Sequence, residues 1–78
     1  MIQEPFKSKD LYLSAFLRAA GARMIDTERR GTIVIFVFEQ NGDGMIHRLQ
    51  TDYYNKSAKI DARTFVDEIK VLKTLCHM

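Results

Sequence analysis

Thr32-Ile33-Val34-Ile35-Phe36-Val37-Phe38-Glu39 is the stretch on which the fold turns. It is six apolar residues long, bounded by polar ones, and rich in β-branched and aromatic side chains, which makes it a strand rather than a helix segment. In a strand Ile33, Ile35 and Val37 point one way and Val34, Phe36 and Phe38 the other. Both faces are apolar, so the strand is expected to be central in its sheet or covered on both sides.

Immediately before it, Ala22 to Glu28 reads as a weaker strand. Met24 and Ile25 are apolar neighbours, so its alternation is imperfect. Arg29-Arg30-Gly31 reads as the tight turn joining the two strands into an antiparallel hairpin. After the strong strand, Gln40-Asn41-Gly42-Asp43-Gly44 is a loop. The next element admits two readings. Ile46, Leu49 and Tyr53 are spaced three and four apart behind Asp43 as a cap, which favours a helix. Met45, His47 and Leu49 alternate, which would add a third strand. The helix is the preferred reading.

Helices flank this centre. Ser8 is placed to cap the first, with Asp10 in its first turn. Leu11, Ala15 and Ala19 recur on one face beside the Tyr12–Phe16 and Leu13–Leu17 pairs, with Arg18 off the stripe and solvated. Gly21 supplies the left-handed stop. Towards the other end, Ala58-Lys59-Ile60 reads as a short edge strand. Asp61 then caps a last helix with Phe65, Ile69, Leu72 and Cys76 in one stripe and Val66 and Leu75 beside it. The expectation is an α+β fold of order α-β-β-α-(β)-α: a small antiparallel sheet of two to three strands packed by three helices. It forms one domain over residues 1–78, with residues 1–7 loose.

The chain has 78 residues, 46% of them hydrophobic, and a net charge of +2 from 12 Lys and Arg against 10 Asp and Glu. That is enough apolar content for a globular core and too balanced a charge for a polybasic tail. A lone cysteine, Cys76, excludes an internal disulfide and fits a reducing compartment. No run approaches the ~20 apolar residues of a membrane helix. Met1 to Pro5 lacks a basic-then-apolar leader pattern. A cytoplasmic protein without membrane attachment is expected.

The residue order resembles an uncharacterised family of small bacterial and phage-associated domains, known only as a domain of unknown function. Five pieces carry the resemblance: Asp10-Leu11-Tyr12-Leu13 leading to Gly21, Phe36-Val37-Phe38, Asp52-Tyr53-Tyr54-Asn55, Ile60-Asp61-Ala62-Arg63-Thr64-Phe65, and Leu72-Lys73. The resemblance implies a helix after the Phe-rich strand. It implies no activity.

Catalytic and metal patterns are missing. Glu39, Asn41, Asp43 and Gly44 have some of the spacing of a calcium loop, but Gln50 stands where a bidentate carboxylate is needed. Neither His47 nor His77 has a ligand partner at the third or fourth residue after it, and Cys76 lies in a helical stripe as a packing thiol. The glycines do not form a phosphate cradle. No enzyme, no cofactor and no metal site is expected. The leading expectation is a binding module that meets nucleic acid through Arg23, Arg29 and Arg30 at the hairpin and through Tyr54, Lys56 and Lys59, with lysines on phosphates and an exposed tyrosine stacked on a base. The alternative is a protein-interaction module, a homodimer or a phage-type adaptor or inhibitor, because three short helices are too few to cover both faces of the Phe-rich strand.

Overall fold

A computed structural model of the chain describes residues 3–78. The strong strand, Ile33–Phe38, is the centre of a three-stranded antiparallel sheet; in chain order it is β3. On one side lies β2, Met24–Arg30, and on the other β1, Phe6–Ser8. The helices are α1 (Leu11–Ala19), α2 (Met45–Tyr54) and α3 (Ala62–Cys76). The α+β class and the order of three helices around the hairpin are those expected. The third strand differs: residues 58–60 are irregular, and Phe6–Ser8 takes its place. Of the segment 1–7 expected to be loose, Met1 and Ile2 lie outside the described residues, whereas Phe6 and Lys7 are ordered by pairing with Phe38 and Val37.

The register assigns every sheet residue to a face. Phe6 and Met24 flank Phe38, and these share a face with Phe36 and Val34. All three helices pack on that side: Phe36 and Phe38 join Leu13, Phe16, Leu17, Ile46 and Leu72 in one core. Ile33, Ile35 and Val37 are not part of it. The molecule therefore has two layers, and β3 is central without being covered on both faces. The slab shape, 34 × 31 × 17 Å, fits one sheet with one layer of helices.

Local chemistry explains the element ends. Asp10, not Ser8, caps α1: its Oδ1 accepts from the amides of Tyr12 and Leu13, while Ser8 Oγ accepts from the Asp10 amide. At the other end Gly21 (φ +100°) donates to the Arg18 carbonyl and Ala22 to the Leu17 carbonyl, the paired bonds of a Schellman stop. Asp61 caps α3 through the amide and hydroxyl of Thr64. Arg18, expected to be solvated, reaches α3 instead, with Nε 2.7 Å from Glu68 Oε2. That contact is close enough for a firm ion pair but is not aligned as a hydrogen bond. Leu72, fully buried, anchors α3 against α1.

The hairpin also differs from its expected form. β2 runs through Arg30, so the turn is Gly31-Thr32, with Gly31 at φ +61°, the positive φ that a two-residue II′ turn needs at its first central position. Between Met24 and Asp26 the register slips by one residue. Met24 pairs with Phe38 on the core face and Asp26 with Val37 on the other, so Ile25 is an extra residue, a β-bulge that points away from the core with Asp26. The apolar neighbours Met24 and Ile25, which spoil the alternation, are the sequence trace of that bulge.

Candidate functional site

The side chains singled out for nucleic acid do not gather on one surface. Arg29 lies at the C-terminal end of α3, where one guanidinium nitrogen donates to the main-chain oxygens of Leu75 (3.3 Å), Cys76 (3.2 Å) and Met78 (3.1 Å). It caps the helix, and a cation is what the negative end of a helix dipole favours. Arg30, one residue on, points to the other face of the sheet beside Ile33. Arg23 pairs with Glu39 at 3.5 Å. Lys56 and Lys59 precede the N-terminal cap of α3, and the helix between them and Arg29 is about 22 Å long at 1.5 Å per residue. Among the described residues, Arg30, Lys56 and Lys59 make no ion pair.

Tyr54 is 61% exposed and stands edge-on to Tyr53, with ring centroids 5.3 Å apart. Tyr53 turns inward against Phe16. Its hydroxyl pKa is raised, first by burial and then by the Asp10 carboxylate, Tyr54 and Tyr12, which places a third tyrosine at the same corner. Tyr12, half exposed, was not among the expected site residues; its pairing with Phe16 on α1 marks it only as packing. The corner is aromatic, but it carries the Asp10 carboxylate, which opposes a phosphate.

The less expected surface is the face of the sheet on which, among the described residues, no helix packs. Its middle column, from β3, is Ile33, Ile35 and Val37. The bulge adds Ile25 at one end. Ile25 and Ile33 are each 47% exposed, a large fraction for isoleucine on a strand. The flanking columns are charged. β1 contributes Lys7 beside Val37, and Lys9 follows it into a shallow hollow with Glu28, Arg30 and Ile35. β2 contributes Asp26 beside Val37, Glu28 beside Ile35 and Arg30 beside Ile33. Lys7 Nζ and Glu28 Oε2 meet at 3.0 Å across the central strand, and Val37, in the row of Lys7, is buried although no helix covers it.

The family comparison matches residues 3–77 to a domain of unknown function, DUF5659. The chain belongs to that family. The matched span takes in every strand and helix of the DUF5659 domain described above, from β1 to α3. Comparison with curated proteins and with solved structures gives no match. Among the described residues no helix is long and apolar enough to cross a membrane, and no three His, Cys, Asp or Glu residues gather as a metal cluster.

Proposed function

We propose that this DUF5659 domain is a non-catalytic module that binds a protein partner on the open face of its sheet. The observation that carries the reading is the one-sided core: three helices on the Phe36–Phe38 face, and Ile25, Ile33 and Ile35 in an apolar strip on the other. Exposed strips of this kind, rimmed by charge, mark interaction surfaces in small domains. Their neighbours are aliphatic, so the face offers a polypeptide something to bury and offers a base no aromatic ring on which to stack.

The nucleic-acid reading keeps one supporting observation: Tyr54 stands exposed next to Lys56 in sequence, and Lys56 and Lys59 are unpaired. Against it stand the engagement of Arg29 in capping α3 and the pairing of Arg23 with Glu39. Without those two arginines, few phosphates can be neutralised at once.

The test is methyl and amide NMR of the labelled domain, with two probes titrated separately at low salt. With the hydrophobic dye 1-anilinonaphthalene-8-sulfonate, the shifts should concentrate on Ile25, Ile33 and Ile35. With a single-stranded oligonucleotide, the domain should show no saturable shifts. Dye shifts elsewhere would overturn the proposal. Saturable oligonucleotide shifts at Tyr54, Lys56 and Lys59 that fade with salt would favour the nucleic-acid reading instead.

A further inference from the structure

The register of the sheet orders the charges on its open face into columns, and this order selects an occupant. With the sheet viewed from the open side, the β1 column is cationic, with Lys7 and then Lys9. The β3 column is apolar. The β2 column is acidic opposite those cations, with Asp26 and Glu28. Arg30 lies further along β2, in the row of Ile33, where β1 has already ended, so it faces no β1 residue.

Consider two copies placed face to face and related by a two-fold axis along β3. The rotation exchanges left for right, so the cationic column of each copy lies over the acidic column of the other. The two apolar columns meet in the middle, with the strands aligned as in a sandwich. A two-fold axis across the strands would instead set the Lys7–Lys9 column over its own copy and the Asp26–Glu28 column over its own copy, which like-charge repulsion disfavours. The Lys7–Glu28 bridge within one chain shows that the two columns attract across the apolar strip. It is also a partly exposed pair, of a kind that contributes little, so it yields readily to the same partners supplied by a second copy.

We infer that the occupant of the open sheet face is a second copy of this chain, in a C2 sandwich whose two-fold axis runs along β3. This rests on the protein-binding reading given above and names its partner. The face is at most three strands wide and six residues long, about 14 by 20 Å at ordinary strand spacings, and two strands wide beyond the end of β1. At about 280 Å² per copy the footprint is smaller than that of standard specific interfaces, so the association is weak.

Sedimentation equilibrium tests it. The wild-type mass should rise from 9.1 kDa towards twice that as concentration climbs to about 1 mM. Two variants make the test specific: Lys7→Glu with Lys9→Glu, which leaves both columns acidic, and Asp26→Lys with Glu28→Lys, which leaves both basic. Each alone should dimerise at least tenfold more weakly, and an equimolar mixture should recover wild-type mass. Circular dichroism reports whether each is folded, and Glu28→Lys alone replaces the second variant if Asp26 proves necessary for the strand. Undiminished self-association of either variant, or a folded mixture that stays monomeric, overturns the sandwich. A wild type that remains at 9.1 kDa while the dye still maps to Ile25, Ile33 and Ile35 overturns the second-copy occupant and leaves the protein-binding reading standing; dye shifts elsewhere remove that reading itself.

Discussion

Replacing Arg29 by methionine keeps an unbranched side chain on the strand and removes the guanidinium. One nitrogen of that group has two hydrogens to share among three oxygens at 3.1–3.3 Å, so no more than two full bonds exist and all are long. A charged donor to a carbonyl contributes about 1.5–3 kcal/mol in the better cases, and a cation at a helix C-terminus about 0.3–1 kcal/mol. The site is solvent-exposed, so screening reduces both, and the expected loss is about 1–2 kcal/mol. For a domain of this size that lowers Tm by about 4–16 °C. The assay is urea denaturation followed at 222 nm, with amide exchange of α3 alongside. The last turn of α3, through Leu75 and Cys76, should exchange faster than its first turn in the variant. Unchanged stability together with unchanged exchange would refute the capping role, and would return Arg29 to the pool of free surface cations on which nucleic-acid binding could draw.

Other variants probe other parts. Leu72→Ala, at a fully buried position, should cost about 2–5 kcal/mol by calorimetry, close to the whole stability of so small a domain. Ser14→Ala should raise Tm, because the buried Ser14 hydroxyl has no hydrogen-bond partner and alanine is the better helix former; a fall would show that the hydroxyl is satisfied after all. Gly21→Ala should destabilise by about 1 kcal/mol or more in denaturant, since φ is +100° and the added methyl would meet Met45 only at ordinary contact distance, so that the cost is one of backbone and not of space. The hydrogen bonds from Thr64 hold the Asp61 carboxyl below its usual pKa of 3.8. A carboxyl lowered on folding adds stability that is present above its unfolded pKa and is lost as pH falls through the folded value. Wild type should therefore lose stability as pH drops below about 4, and Asp61→Asn should lose less over the same window.

The sequence shows the parts of this domain that obey a period and hides those that depend on a partner far along the chain. Thr32 to Glu39 declares a strand in any context, and Leu72 announces itself by its three-to-four spacing. The end of α1 and the start of α3 are legible because glycine and aspartate have specific jobs at helix termini. Phe6-Lys7-Ser8 could not be read, because three residues have no measurable alternation and their strand exists only through pairing with β3 some thirty positions later. Ala58-Lys59-Ile60 has strand-like composition, yet it stays irregular on the way into Asp61. Arg29 and Arg30 looked alike as a pair, and strand alternation then sent one to the end of α3 and the other to the open face. The open face itself was half visible: two apolar sides of one strand foretold an uncovered surface, but the charged columns beside it follow from register, which one sequence does not display.

β1 is short and joins the sheet from a distance. The β2–β3 hairpin closes through a two-residue loop, a local event of microseconds, whereas β1 must wait for a chain of about thirty residues to bring Phe6 to Phe38. A strand held by three pairs detaches at lower free energy than the domain unfolds. When it lets go, β3 becomes a sheet margin with unsatisfied amides, and Lys7 leaves the outer surface. Undocking of β1 therefore dismantles half of the charge pattern in one step, while the hairpin and the helical layer keep their shape.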